Sequence, residues 1–241
     1  MPNRFATSIA IAMIVALGAR ASAQRAEHLT WKIEGEQRRA ILYPPSVDSP
    51  GGRSPLVFSF HGHGDTIQNF ENTDMHGAWP EAIVVYFQGL PASDGLPGWQ
   101  AEKGVNHDRD LKLVDAAVAS VSREFSVDKT RIYATGFSNG ANFTYLLWAE
   151  RPDVFAAFAP VAARLQPSIR PTQPRPIFHI AGQRDTRIPI AEQNAAIEIA
   201  KLVNGTAAPV MTWIHPGGHV YPGPASDRIA KFFRDHPGKK P

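Results

Sequence analysis

The chain has 241 residues, a formal net charge of +3, 20% charged residues and no cysteine. That length suits one domain with a full-sized core. Lysine and arginine are scattered apart from Lys239-Lys240, which argues against a nucleic-acid surface. The lack of cysteine excludes thiol nucleophiles, thiolate metal sites and a lipoprotein anchor.

Residues 1–23 read as an export signal. Arg4 gives a basic start, residues 8–18 form an uncharged apolar run, and Ala21-Ser22-Ala23 is an A-x-A cleavage site before Gln24. The run is too short for a stable membrane anchor. The expectation is a secreted protein, extracellular or periplasmic, with residues 24–241 as a single domain. Cleavage would remove Arg4 and Arg20 and no acid, leaving that domain near neutral.

Residues 29–34 and 38–43 read as two strands of an antiparallel hairpin turning at Gly35-Glu36. Residues 44–55 are a loop of Pro, Gly and Ser. Residues 56–60 and 82–86 are short apolar runs, read as buried strands. Residues 88–106 form a long irregular stretch rich in Gly and Pro, and loops of that length usually serve function. Residues 108–125 read as a helix with Leu111, Val114, Val118, Val121 and Phe125 along one face.

Next come a strand at 131–135 and a helix at 139–150, with Gly136-Phe137-Ser138-Asn139-Gly140 between them. Further strands are expected at 155–161, 177–181 and 210–214, and helices at 191–203 and from 227 to 233. A hairpin followed by alternating strands and helices predicts an α/β protein. Its central sheet is mostly parallel, with helices on both faces and the N-terminal hairpin at one edge.

The segment 136–140 matches G-x-S-x-G at a strand-to-helix turn, the nucleophile elbow of α/β-hydrolases. Such a turn lifts the serine above the sheet edge and sets it on a helix N-terminus. A serine hydroxyl needs a histidine base, and the histidine needs an acid. The order Ser, acid, His expected of this fold is met by Ser138, Asp185 and His219. Asp185 follows the strand at 177–181. His219 follows two glycines after the last strand, on a loop free enough to reach Ser138. His215 competes for the role of base, but it adjoins the strand and precedes a proline, as a strand cap would. An oxyanion hole would use the backbone N–H of Asn139 and that of His63, in the loop Phe60-His61-Gly62-His63-Gly64. A zinc reading of His61 and His63 with Asp65 lacks a third histidine or a glutamate, so no metal is expected. Trp99 and Tyr221 are the aromatic candidates for substrate contact, ahead of Phe70 and Trp79.

These motifs resemble a known family: the secreted polyhydroxybutyrate-depolymerase-like and feruloyl-esterase-like α/β-hydrolases, relatives of carbohydrate esterase family 1. The likeness is carried by residues 60–64, Tyr86-Phe87-Gln88-Gly89, residues 127–133, 135–141 and 152–157, Gly182-Gln183-Arg184-Asp185 and Gly217-Gly218-His219. It implies the α/β-hydrolase fold and a cofactor-free serine esterase acting through an acyl-enzyme, with Ser138, Asp185 and His219 at the matching positions. The substrate class it implies is a hydroxyalkanoate oligomer, a feruloyl ester or an acetylated polysaccharide. Among the departures from the pattern, Ala141 stands where a second glycine is common, Arg109-Asp110 where paired acids open the long helix, and the cysteines common in secreted members are absent. A serine peptidase of the same fold and a non-catalytic ligand-binding homologue are the alternatives. Ala141 weighs against the first, and the presence of all three residue types in order against the second.

Overall fold

The computed structural model describes residues 25–238; the export signal expected at residues 1–23 lies outside them. The chain runs through β1 (Glu27–Ile33), β2 (Glu36–Tyr43), β3 (Ser54–Phe60), α1 (Ile67–Phe70), α2 (Met75–Ala78) and β4 (Ile83–Phe87). It continues through β5 (Leu90–Pro91), β6 (Pro97–Gly98), α3 (Arg109–Glu124), β7 (Val127–Phe137), α4 (Asn139–Glu150) and β8 (Ala157–Val161). It closes with β9 (Ile177–Gly182), α5 (Ile190–Asn204), β10 (Val210–His215) and α6 (Ala225–Asp235).

Eight strands form one sheet in the order β1-β2-β4-β3-β7-β8-β9-β10. Strand β2 is antiparallel to both its neighbours, and every other pair is parallel. This is the α/β-hydrolase architecture with its hairpin at the edge. The hairpin turn falls at Glu34-Gly35, one residue before the expected place, because Glu36 joins the ladder opposite Ile33. Both loop residues have positive φ, 51° and 84°, as a two-residue type I′ turn requires.

Strands β3, β4, β8 and β9 are buried along their whole length, as strands covered on both faces must be. Alternate residues feed the two layers. Leu56, Phe58 and Phe60 pack with α3, α4 and α5, while Val57, Val84 and Tyr86 pack with α1, α2 and α6. The short helices α1 and α2 were not expected; four residues carry too little periodicity to be read.

Sheet topology places the cleft. From β3 the chain crosses to β4 on one side, then returns to β7 on the other. The crevice at the carboxyl ends of β3 and β7 is therefore a switch point, where open α/β sheets hold ligands. The loop 61–64 leaves β3 there, and Ser138 leaves β7 beside it.

Candidate active site

Ser138 sits between β7 and α4 with φ 54° and ψ −116°, a strained conformation for a residue with a side chain. Two bonds fix it. Its N–H donates to Val161 O at 2.9 Å, and its carbonyl accepts from the Asn142 N–H at 2.9 Å. The turn demands glycine at 140, where a Cβ would collide with Phe60 O and reach within 2.5 Å of His61 O. The elbow helix is thereby pressed directly against the end of β3.

Two loops complete the group. Ser138 Oγ lies 2.8 Å from His219 Nε2, and His219 Nδ1 lies 2.8 Å from Asp185 Oδ2. Asp185 is buried, and its side chain carries no exposed surface. Its Oδ1 accepts the N–H groups of Arg187 and Ile188 at 2.8 and 2.9 Å, and Oδ2 accepts from Gln193 Nε2 at 3.1 Å. It forms no ion pair with Arg184 or Arg187. The carboxylate accepts the His219 Nδ1–H, which leaves Nε2 as the acceptor facing the serine. The loops after β9 and β10 are stitched together by Gln183 N–H to His215 O (2.8 Å), Arg184 N–H to Gly217 O (2.9 Å) and Arg184 Nε to Pro216 O (2.6 Å). Gly182 has no room for a Cβ against Gly218 O.

His215 does not enter this group. Its ring is buried, Nδ1 accepts the Gly217 N–H at 3.1 Å, and burial pushes its pKa down, opposed by the charge of Asp185. It caps the strand.

Across the cleft, the loop 61–64 is held by His61. Its Nε2 accepts the Gly89 N–H at 2.9 Å, so the other nitrogen carries the proton and donates to Gly62 O at 2.6 Å. Burial keeps this ring neutral by lowering its pKa. Both nitrogens are thus committed to backbone. The nearby His63 bonds Asp94 through Nε2 at 2.7 Å. Among the described residues, no three His, Asp or Glu converge on a metal position. His63 lines the cleft and Asn139 follows Ser138 in the chain; the N–H groups of both have no hydrogen-bond acceptor among the described residues.

Trp99 lies elsewhere than expected. Its ring is 5% exposed, stacked on Phe143 and edge-on to Phe60, with Nε1–H donating to His61 O at 2.9 Å. It supports the loop from beneath and does not face the cleft. Its backbone is clasped by the Asn139 side chain: Trp99 N–H donates to Oδ1 at 2.7 Å, and Nδ2 donates to Trp99 O at 3.3 Å. The same strip pairs Pro97 O with the Gly64 N–H at 2.8 Å. Residues 97–99 therefore brace both sides of the proposed oxyanion hole. Tyr221 is also set back, its hydroxyl 3.0 Å from Ser226 Oγ and its ring edge-on to Phe70 and Phe137. Phe70 and Trp79 are core residues.

The brace has its own anchor, which the sequence reading missed. Arg38 and Asp110 form a fully buried ion pair at 2.7 Å. Asp110 Oδ2 accepts the Gln100 N–H at 2.7 Å, next in the chain to Trp99. The turn before α3 is left-handed at three consecutive non-glycine residues, Asn106, His107 and Asp108. Asp108 Oδ1 steadies it by accepting from the Gly104 N–H and Gln100 Nε2 at 2.7 and 2.9 Å. The available signal was Asp110 at the head of a helix opposite a hairpin arginine.

The cleft has a volume of about 380 Å³ and is lined by Gly62, His63, Gly64, Asp65, Phe137, Ser138, Arg187 and His219. A larger one, about 460 Å³, opens at the opposite edge of the sheet beside Thr130, Asp153 and Arg175. There Arg175 is consumed by Asp153 and by the carbonyls of Pro152 and Pro174, Thr130 Oγ1 donates to Asp128 Oδ1, and no histidine among the described residues lines the cavity.

The sequence profile of the dienelactone hydrolase family matches residues 98–226, more than half of the chain and all three of Ser138, Asp185 and His219. The chain is 34% identical to a putative esterase NocK of Nocardia uniformis, over 64% of this chain and 46% of that protein. It is 30% identical to a bifunctional acetylxylan esterase/xylanase of Neocallimastix patriciarum, over 63% of this chain and 22% of that one. The chain thus spans less than half the length of these relatives. Among solved structures, the feruloyl esterase module from Clostridium thermocellum superposes with a TM-score of 0.64 at 16% identity, over 89% of this chain and 88% of that one. At that identity the likeness speaks for the fold.

Proposed function

The chain belongs to the dienelactone hydrolase family, and from that premise we propose that it is a secreted serine esterase. It hydrolyses carboxylic esters through an acyl-enzyme, with residues 24–241 as its catalytic domain. The observation that carries this reading is the unbroken hydrogen-bonded line from Ser138 Oγ through His219 to Asp185, 2.8 Å at each step.

In this mechanism Ser138 Oγ attacks the ester carbonyl carbon while His219 Nε2 takes its proton. Asp185 holds the ring in the tautomer that can do so and stabilises the imidazolium. The carbonyl oxygen, now an oxyanion, is met by the N–H groups of His63 and Asn139, each worth roughly 3 kcal/mol in such sites. Collapse expels the alcohol, which takes the proton from His219. Water, deprotonated by the same ring, then releases the acid and restores Ser138. No cofactor or metal takes part.

Substrates of the kind named for these proteins fit, an acetylated or feruloylated polysaccharide fragment, as does the hydroxyalkanoate oligomer that the sequence resemblance implies. The open cleft and its mixed lining of Phe137, Asp65 and Arg187 favour a small acyl group on a polar alcohol. The test is covalent labelling by a fluorophosphonate, mapped by peptide mass, together with an ester panel. Labelling at Ser138 and turnover of p-nitrophenyl acetate but not of aminoacyl-anilides are expected. An unlabelled, inactive protein would refute the reading, and rapid anilide hydrolysis would move it to a peptidase.

A further inference from the structure

Behind Asp185 lies a group of buried polar side chains that the reaction does not use. Tyr145, His179 and Gln193 are each fully buried. Tyr145 OH lies 2.6 Å from His179 Nδ1. Gln193 Nε2 donates to Asp185 Oδ2 at 3.1 Å and to Ile188 O at 2.7 Å. Both these acceptors lack protons, so the amide cannot be turned round, and its Oε1 must look for a donor elsewhere. Gln193 Oε1 and His179 Nε2 are both buried, and neither has a hydrogen-bond partner within bonding distance and geometry. An interaction of the His179 ring N–H with the Gln193 side chain is also the one influence that opposes the effect of burial on His179.

Donor logic closes the gap. Burial raises the Tyr145 pKa, so the phenol stays protonated and can donate to Nδ1. With Nδ1 accepting, the neutral His179 ring carries its proton on Nε2. That N–H is the donor Gln193 Oε1 lacks. Every proton in the line then points the same way, from Tyr145 through His179 and Gln193 to the carboxylate. The line is also a ring in space. Tyr145 stands on α4, the helix that begins at Ser138; His179 is on β9 and Gln193 on α5. It joins the elbow helix to the acid from behind, while His219 joins them in front.

We propose that Tyr145, His179 and Gln193 form a buried hydrogen-bond chain that positions Asp185 and shares its charge. This rests on the reading of Asp185 as the acid of a Ser-His-Asp group. The three are positioning residues, since none touches the cleft.

The acidic limb of activity should report it. Removing the Gln193 donor leaves Asp185 Oδ2 with His219 alone, which tightens its hold on the imidazolium and loosens its place in the fold. The other titratable or charged groups facing the pair are His215 behind the strand end, and His63, Asp65 and Arg187 around the cleft. Glu192, beside Gln193 on α5, is engaged with Arg164. None of these changes in the variants below.

The experiment compares wild type, Gln193→Leu and Tyr145→Phe on a soluble aryl ester across the pH range, with imidazole NMR of His179. Gln193→Leu is expected to lower kcat about tenfold at unchanged KM and to move the acidic limb of kcat/KM upward by about half a pH unit. Tyr145→Phe, which keeps the packing, should act in the same direction by roughly two- to threefold. In wild type the NMR should show His179 protonated on Nε2, and in Tyr145→Phe a mixture of tautomers. Variants that lose thermal stability yet keep the wild-type kcat and acidic limb would overturn the proposal, as would a wild-type His179 protonated on Nδ1. If Gln193→Leu does not fold, Tyr145→Phe and the tautomer decide. The tautomer is read without turnover, so a failed esterase reading and a failed hydrogen-bond chain give different results.

Discussion

The two walls of the cleft are built on opposite principles. The wall after β9 and β10 presents side chains: Asp185 and His219, set on loops stitched to each other by backbone bonds. The wall formed by residues 61–64, backed by 97–110, presents backbone: the N–H of His63, with that of Asn139 at the start of α4 next to Ser138. Side chains can be aimed by rotamer choice. A backbone donor can be aimed only by fixing the chain around it, and that wall accordingly carries a buried ion pair, a three-residue left-handed turn and the Asn139–Trp99 clasp. Strain of this kind costs on the order of 1–3 kcal/mol per residue and persists only where surroundings over-determine it.

The comparison breaks most sharply at the chemistry itself. Ser138→Ala and His219→Ala should each reduce kcat on a soluble aryl ester by roughly 10⁴-fold or more, to similar levels, because nucleophile and base act as a unit. Asp185→Asn should be somewhat milder, since a base remains though badly held. Circular dichroism and melting temperature should show each variant folded. Substantial activity in Ser138→Ala would end the mechanism.

On the backbone wall the same loss should arrive through stability. Asp110→Ala leaves the Arg38 guanidinium buried and unpaired and releases the Gln100 N–H. It should cost about 3–5 kcal/mol in urea unfolding and about tenfold or more in kcat, because residues 97–99 lose their anchor. Unchanged kcat in a destabilised variant would show that the brace does not reach the proposed oxyanion donors.

The unequal legibility of the two walls has the same origin. The elbow, the acid and the base carry residue types in a set chain order, and the helix at 139–150 appears with the boundaries read from its periodicity. Strand β7 runs further than its apolar stretch, back through Val127-Asp128-Lys129-Thr130, since pairing does not require apolar residues at a sheet end. Trp99 looked like a binding aromatic because it stands in a Gly/Pro-rich loop. Its Nε1–H is instead claimed by His61 O, a contact between residues 38 positions apart that no local pattern encodes. Asn139 was read for its N–H alone, while its side chain does as much by holding Trp99. The pair Arg38–Asp110 spans 72 positions, and from the sequence Asp110 figured only in Arg109-Asp110, a departure from a motif and not an anchor.

Acid should act on both walls, and more on the side-chain wall. Burial lowers the His179 pKa from 6.5 to about 4. The unfolded chain therefore takes up this proton first. The stability linked to it is complete above about pH 6.5 and falls as pH drops toward 4, by up to about 3 kcal/mol. His61 and His215 are shifted in the same direction by burial and add to the slope. Urea midpoints measured at neutral and mildly acidic pH should show the fall, and His179→Gln should flatten it. A slope unchanged in that variant would contradict a neutral buried imidazole.

The smallest effect should be found only four residues from one of the largest. His215 lies in the same loop as His219 and is a histidine near the same carboxylate, yet its Nδ1 is occupied by the Gly217 N–H and its carbonyl by the Gln183 N–H. His215→Ala removes a strand cap and a buried ring whose Nε2 has no partner. It should cost roughly 1–2 kcal/mol of stability and leave kcat within about tenfold of wild type, whereas His219→Ala removes the proposed base. The two variants belong side by side on one ester. If His215→Ala is dead while folded and His219→Ala turns over, the base is misassigned and the loop 215–219 must rearrange in the working enzyme. Ester hydrolysis through Ser138 would survive that result, because the serine, its helix and the backbone donors opposite do not depend on which histidine takes the proton.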